Sequence, residues 1–200
     1  MFHYINGTVA ELLPNLAVID CGGVGFEINT SAYTLSQLKN GEKAKLFTYV
    51  HIREDAFEIY GFASQSEKHC FELLLGVSGV GPKAALSILS VNTPENLVMS
   101  IVSENEKAIT AAPGVGKKIA QRVILELKDK IAKETESVSF PGSDFAPAVR
   151  TDNSKLGDAA AALTVLGYTS SEVNAALKKI DVEALSLEEI IKSALKLMMK

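Results

Sequence analysis

Hydrophobic and polar positions alternate along the first third of the chain with the period of two that is typical of β-strands. The glycine-rich run from Asp20 to Gly25 has the composition of a hairpin turn. The pattern predicts strands at residues 4–9, 16–20, 25–29, 46–51 and 57–62, with a short amphipathic segment at 31–39. Five strands in so short a stretch indicate a small OB-like β-barrel, and an open sheet is the alternative.

From residue 64 onward the hydrophobic period changes to that of α-helices. Ser66 is expected to cap a helix that ends near Gly76, Pro82 to start a second helix and Thr93 to cap a third. The last helix of this region starts at Gly116, and its apolar positions form one stripe: Ile119, Ala120, Val123, Ile124, Leu127 and Ile131.

Residues 135–153 are rich in Ser, Pro, Gly and Asp and have no period, which predicts a flexible linker. Beyond the linker, three short helices are expected at residues 154–166, 170–180 and 187–199. A unit of this size has little core and carries no recognisable catalytic group, so we expect a protein-docking module. Its candidate partner-binding residues are Leu163, Leu166, Tyr168 and Leu195.

The central helices contain an internal repeat. The glycine loop Gly79-Val80-Gly81 recurs as Gly114-Val115-Gly116, and aligning the two loops also aligns the helices that follow them. Glycine permits a tight reversal at positive φ, and the free N–H groups at the start of the next helix attract an anion. We therefore expect phosphate to bind at Gly79, Val80, Gly81, Lys83, Gly114, Val115, Gly116, Lys117, Lys118 and Arg122.

Three interpretations compete for these glycine loops. A P-loop requires a glycine five residues before Gly116 and a Ser or Thr after Lys117, but Ala111 and Lys118 occupy those places. A dinucleotide-binding fingerprint is partly matched, yet the residues before the first loop have a helical pattern and not that of a buried strand. An ordinary helix-turn-helix is the third interpretation. The duplication favours paired helix-hairpin-helix motifs, which bind the sugar-phosphate backbone without reading bases.

The net charge of −4 by itself argues against a nucleic-acid partner, but the charge is unevenly distributed. Residues 63–134 hold nine basic and eight acidic side chains and form the only net positive region. Without a long apolar run or a leader-like N-terminus, the chain is expected to be cytoplasmic and without a membrane partner. Cys21 and Cys70 predict free buried thiols, and we expect neither a metal nor a cofactor.

Two adjacent carboxylates, Glu54 and Asp55, lie in the predicted turn between the last two strands. Acidic residues are common in turns, so these two are most simply explained as solvated turn residues. The other interpretation is electrostatic. If the turn faced nucleic acid, the carboxylates would repel phosphates and disfavour an unbroken duplex.

Together these motifs resemble the RuvA family of bacterial proteins. The resemblance is carried by Val-His-Ile-Arg-Glu-Asp-Ala-Phe-Glu-Ile-Tyr-Gly-Phe at residues 50–62, by Gly-Val-Gly-Pro-Lys at 79–83, and by Pro-Gly-Val-Gly-Lys-Lys at 113–118 with Arg122. It covers essentially the whole chain. It implies an α+β, multidomain fold with an OB-like barrel at 1–63, tandem helix-hairpin-helix motifs at 64–134, a linker at 135–153 and a three-helix, UBA-like domain at 154–200.

The resemblance also implies a function. It suggests a non-catalytic protein that binds four-way (Holliday) junction DNA as a homotetramer, or as an octamer of two tetramers. Glu54 and Asp55 would form an acidic pin at the crossover. Residues 154–200 would recruit a RuvB-type hexameric ATPase for branch migration in recombination and repair, and a RuvC-type resolvase is a further expected partner.

Two other classes of protein stay open. A nuclease or glycosylase could use the glycine loops to hold DNA, although no carboxylate cluster has metal-ligand spacing and no nucleophile stands beside the second loop. A pure adaptor would bind only protein, through the barrel and the last three helices. In that case charge reversal at Lys83, Lys117, Lys118 and Arg122 would leave its function intact.

Overall fold

The computed structural model describes residues 2–137, 153–180 and 185–198. Its N-terminal part is a closed barrel of five strands in the order β1-β2-β3-β5-β4, with β4 returning to pair with β1. The closed barrel excludes the open-sheet alternative. The strands are β1 (Tyr4–Leu13), β2 (Leu16–Asp20), β3 (Gly25–Asn29), β4 (Lys43–Ile52) and β5 (Phe57–Phe62), and the short helix α1 (Ala32–Leu35) precedes β4.

The barrel closes because β1 is long enough to serve two neighbours. Its first half pairs with β4 and its second half with β2, and the register of the β1–β2 pair shifts between Val9 and Glu11. Such a bulge bends the strand and so helps a small sheet to curve back on itself. The alternating inward positions then fill the barrel with Ile5, Val9, Ala17, Ile19, Ile28, Leu46 and Ile59.

Five helices form the middle of the chain: α2 (Gln65–Leu75), α3 (Pro82–Val91), α4 (Pro94–Val102), α5 (Glu106–Thr110) and α6 (Lys117–Ser137). Pro82 is the first residue of α3 and Thr93 caps α4, as the sequence predicts. The apolar stripe of α6 is confirmed as core at the buried positions Ala120, Val123, Ile124 and Leu127. The short helix α5 has no counterpart among the sequence predictions.

The start of α2 differs from the prediction. Ser64 caps this helix, because its hydroxyl accepts a hydrogen bond from the N–H of Glu67 at 3.1 Å. The hydroxyl of Ser66 instead donates to the carbonyl of Leu166, 2.5 Å away. The prediction that Ser66 caps α2 is therefore wrong. Both serines stand before the same apolar run, and only the backbone turn decides which of them lies at the helix boundary.

The C-terminal helices are α7 (Asn153–Val165), α8 (Ser170–Leu177) and α9 (Leu187–Met198). A capping box of Thr169 and Glu172 starts α8, and Ser186 and Glu189 bond reciprocally before α9. The three helices do not form a separate core, because buried side chains of α7 pack with those of α2, α4 and α6. Three short helices bury little apolar surface alone, which explains why α7 packs against the central helices.

The predicted linker at residues 135–153 lies almost wholly outside the described residues, since α6 continues to Ser137 and α7 begins at Asn153. The domain boundaries derived from the sequence therefore stay a prediction. Within the described residues, no helix is both long and apolar enough to span a membrane.

A buried carboxylate joins the barrel to the central helices. Glu67, in the first turn of α2, is fully buried. Its carboxylate accepts hydrogen bonds from the hydroxyls of Ser31 and Thr34 at α1, the latter at 2.6 Å, and from the N–H of Ala63 at 3.3 Å. Burial raises the pKa of Glu67, and the three donors act in the opposite direction. The donors belong to the barrel part of the chain and Glu67 belongs to α2, so these hydrogen bonds fix the barrel against that helix.

Candidate nucleic-acid interface

The repeat in the sequence is also a repeat in the structure. The first glycine turn (residues 78–81) joins α2 to α3, and the second glycine turn (residues 113–116) joins α5 to α6. Gly79 and Gly114 have φ angles of +87° and +80°, a region that is costly for residues with a Cβ atom. The N–H of Val80 bonds to the carbonyl of Val77, and the corresponding bond in the second turn runs from Val115 to Ala112.

The second glycine of each turn has a different role. Gly81 has φ −93° and ψ 175°, which is extended backbone that any residue adopts, and Gly116 also lies outside the positive-φ region. A Cβ atom added at Gly81 or Gly116 would meet no atom within 4 Å. Neither backbone strain nor internal packing therefore requires glycine at these two positions. What the missing side chain provides is open access to the N–H groups at the start of α3 and α6, where an anion is favoured.

Positive charge surrounds these helix starts. Lys83, Lys117 and Lys118 are exposed, and within the described residues none of the ion pairs involves them. Lys128, further along α6, pairs with Glu104 at 2.5 Å. The structure therefore separates lysines that are available to a ligand from one that is already paired. Three unpaired ammonium groups beside two sets of free N–H groups make a surface suited to phosphate.

Arg122 lies at the same surface, but it contacts protein. One guanidinium nitrogen, Nη1, donates to the carbonyl of Ser78 at 3.1 Å and lies 3.2 Å from the hydroxyl of the same residue. Its Nε lies 3.8 Å from the Glu126 carboxylate. Arg122 therefore holds the first glycine turn from α6, and its predicted contact with phosphate stays a prediction.

The acidic tip, Glu54 and Asp55, is the two-residue loop of the β4–β5 hairpin. The N–H of Arg53 bonds to the carbonyl of Ala56 at 2.8 Å across the loop, and both carboxylates are exposed. In the last paired rung, Ile52 and Phe57 are 68% and 60% exposed, so no other described part of the chain covers the hairpin there. Val50 is the last buried residue of β4, so the tip extends roughly 10 Å beyond the barrel core.

A chain of polar side chains stiffens this hairpin. The Nε of Arg53 donates to Nε2 of His51 at 3.3 Å, and Nδ1 of the same ring lies 3.4 Å from the Glu58 carboxylate. The hydroxyl of Tyr60 donates to the same carboxylate oxygen at 3.0 Å. The bond from Tyr60, followed by that from His51, holds the pKa of Glu58 below its ordinary value. The hairpin therefore presents the acidic tip on a braced support.

Three family models match successive parts of the chain. Residues 1–61 match the RuvA N terminal domain, residues 71–129 the SAM-like helix-hairpin-helix tandem, and residues 154–199 the RuvA C-terminal domain. Curated proteins named "Holliday junction branch migration complex subunit RuvA" match over the full length. The one from Acetivibrio thermocellus is 43% identical, with 98% of each chain covered, and the one from Thermoanaerobacter sp. (strain X514) is 44% identical, with 100% of each covered.

The chain belongs to the RuvA family.

The RuvA family models follow the structural elements closely. The N-terminal model spans the barrel and the acidic tip, and the tandem model spans both glycine turns. The RuvA C-terminal model spans α7 to α9. The tandem helix-hairpin-helix interpretation of the repeat is thereby confirmed, and the P-loop and dinucleotide interpretations are not needed.

The predicted partner-binding residues lie mostly inside the protein. Leu163, Leu166 and Leu195 are buried, and Tyr168 is half-buried beside them. In this arrangement the three leucines stabilise α7 and α9 instead of facing solvent. Their contact with a partner stays a prediction, and it requires α7 to α9 to be rearranged or the partner to contact other residues of these helices.

Sequence reasoning missed the side chains that hold the turns and the hairpin in place. Ser87, Glu126 and the His51–Glu58 pair were not singled out, because each acts on a residue that is brought near it only by folding. The internal repeat could have pointed to Ser87. Ser87 and Arg122 occupy equivalent positions when Gly79 is aligned on Gly114.

Proposed function

We propose that the protein binds four-way DNA junctions in a structure-specific and sequence-independent manner, as a homotetramer, and that it holds the junction open for a RuvB-type ATPase. The observation that carries this proposal is the pair of open glycine turns in a member of the RuvA family, the first beside the exposed Lys83 and the second beside the exposed Lys117 and Lys118. The curated relatives are named as subunits of a Holliday junction branch migration complex.

The glycine turns account for binding without sequence preference. Backbone N–H groups and lysine ammonium groups bind phosphate oxygens, which are the same in every nucleotide. Two such turns in each of four protomers would bind eight phosphates. Since each phosphate that is neutralised releases counterions, we expect log K to fall with log salt concentration with a slope of roughly −7.

The acidic tip accounts for the preference for a junction. Glu54 and Asp55 carry two negative charges on an exposed hairpin end. Such charges repel the phosphates of a continuous duplex, whereas a crossover offers an opening between diverging strands. In a fourfold assembly, four tips would meet where the strands exchange. The glycine turns would thus supply affinity, and the tips and the symmetry would supply selectivity.

Residues 154–200 are the part that we assign to protein partners. They contain neither of the two glycine turns, and the described part of their first helix packs on the central helices. We propose that they contact the RuvB-type ATPase in the cytoplasm, and that the opposite face of the junction is left for a RuvC-type resolvase or for a second tetramer. Light scattering with and without junction DNA would measure the assembly state.

The decisive experiment compares two DNA molecules of equal length and sequence, one a four-way junction and one linear duplex. We expect the junction to bind at least about tenfold more tightly at 0.15 M salt. Charge reversal of Lys117 and Lys118 to Glu should abolish binding. The matched control reverses Lys178 and Lys179, an adjacent exposed pair just after α8, and should bind as the wild type does. Equal affinity for junction and duplex would refute the proposal.

A further inference from the structure

The two glycine turns are joined to each other by a reciprocal pair of hydrogen bonds. The hydroxyl of Ser87, in α3 of the first motif, donates to the carbonyl of Pro113 in the second turn at 2.7 Å. The guanidinium of Arg122, in α6 of the second motif, donates to the carbonyl of Ser78 in the first turn at 3.1 Å.

These two bonds are equivalent under the repeat. When Gly79 is aligned on Gly114, Ser87 falls on Arg122 and Ser78 falls on Pro113. Each donor therefore stands at the same position of its helix, and each acceptor is the carbonyl just before the glycine with positive φ. The equivalence extends to the turns, since Val80 and Val115 are each 6% exposed. The bonds thus follow a twofold relation between the motifs and are not a chance surface contact.

The two sides of this relation are unequal in strength. On the first turn, Arg122 bonds to both the carbonyl and the hydroxyl of Ser78, and the Ser78 N–H lies 3.4 Å from the Glu126 carboxylate. Pro113 has no N–H to donate, and Val91 stands at the position equivalent to Glu126. Within the described residues, Ser87 is the only side chain that hydrogen-bonds to the second turn.

We propose that Ser87 and Arg122 are positioning residues which make the two glycine turns one rigid unit, so that the turns bind two DNA phosphates at a fixed separation. This inference rests on the proposed function for its ligand. A carbonyl that is held from the opposite helix fixes the peptide plane before the glycine, and with it the direction of the N–H groups that follow. Without the bond, each turn would have to be ordered on binding, at a cost in affinity.

The test uses the full-length chain and two measurements. Hydrogen exchange of the free protein reports separately on Val80 and Val115, whose N–H groups bond to the carbonyls of Val77 and Ala112, just before the first and second turns. Affinity for a four-way junction reports on the two glycine turns acting together. The informative variant is Ser87→Ala, since it changes no charge and lies on α3, the helix opposite to the turn it holds.

For Ser87→Ala we expect faster exchange at Val115 with no change at Val80, and junction binding about two- to tenfold weaker. Ser87→Thr keeps the hydroxyl and should restore both values. Arg122→Lys keeps the charge but loses the fork-shaped donor, so it should speed exchange at Val80 and not at Val115. The matched control is Ser103→Ala, whose hydroxyl bonds only within its own helix and should change neither measurement.

Each variant is expected to affect only one turn, Ser87→Ala the second and Arg122→Lys the first. This distinguishes a positioning role from a loss of overall stability, because a general loss of stability would raise exchange at both turns together. Uniform exchange would therefore overturn the inference. If Ser87→Ala bound the junction with unchanged affinity while Val115 exchanged faster, the inference that the two turns bind as one rigid unit would be overturned, and the proposed function would stand. If the wild type itself did not prefer the junction, the proposed function would fail, and the exchange data alone would decide whether the reciprocal bonds join the turns.

Discussion

Replacement of Gly81 and Gly116 by alanine should separate DNA binding from folding. Gly81 has extended backbone angles, Gly116 lies outside the positive-φ region, and neither has a neighbour within 4 Å of an added Cβ atom. Alanine therefore fits both sites without strain. Gly79 and Gly114 are different, because their positive φ angles would cost about 1–2 kcal/mol for a residue with a side chain.

The expected change in stability is small. Alanine is a poorer residue than glycine at the N-cap of α3, which costs about 0.5 kcal/mol or somewhat more. The reduced freedom of the unfolded chain contributes about 0.4–1 kcal/mol in the opposite direction. The two effects nearly cancel, so Gly81→Ala should unfold within about 1 kcal/mol of the wild type.

The expected change in binding is much larger. A phosphate oxygen must approach the N–H groups at the start of α3 to about 3 Å, and a methyl group on residue 81 would stand beside that path. Loss of one hydrogen bond to a charged oxygen costs about 1.5–3 kcal/mol. This corresponds to a dissociation constant for the junction that is roughly 10- to 150-fold higher.

Fluorescence anisotropy with a labelled four-way junction would measure binding, and thermal unfolding followed by circular dichroism would measure stability. The matched control is Gly157→Ala in α7, a position with no positive φ and no atom within 4 Å of an added Cβ. It should gain helix stability and bind DNA normally. If Gly81→Ala folded as the wild type does and also bound the junction as the wild type does, the assignment of this helix start as a phosphate site would be refuted.

Three further experiments test other parts of the structure. Glu54→Gln combined with Asp55→Asn should strengthen duplex binding and so reduce the ratio of junction affinity to duplex affinity. The control is Glu11→Gln. An unchanged affinity ratio, or the same reduction in the control, would refute the role of the acidic tip in selecting the junction. Since burial raises the pKa of Glu67, the folded state holds its proton more tightly than the unfolded state does. The unfolding free energy of the wild type should therefore fall relative to that of Glu67→Gln as pH rises above about 4.5. Equal pH dependence of the two unfolding free energies, measured by denaturation, would contradict this. Burial also raises the pKa of Cys70 to about 12. Its thiol should therefore react with an alkylating reagent roughly a thousandfold more slowly at pH 8 than a thiol of pKa 9.0. Equal reaction rates would show that the protein opens around Cys70.

The sequence predicted the elements whose causes are local. Strand alternation located all five strands, and proline and threonine marked the starts of α3 and α4. The glycine turns followed from their own residues, since positive φ and a following helix start need no distant partner. The prediction for Ser66 failed because two serines offer the same cap, and a one-dimensional pattern does not choose between them.

The sequence by itself thus determined the five strands, the duplicated turns, the acidic loop and the lysines beside the helix starts, whereas the closure of the strands into a barrel came from the tertiary structure. Tertiary structure decided what holds these features in place. The bonds from Ser87 to Pro113 and from Arg122 to Ser78 join residues of opposite motifs, and Glu67 reaches back to α1 across more than thirty positions. Packing of α7 on the central helices likewise buries Leu166, a predicted partner contact. Such contacts depend on how whole elements pack, and local periodicity carries no information about that packing.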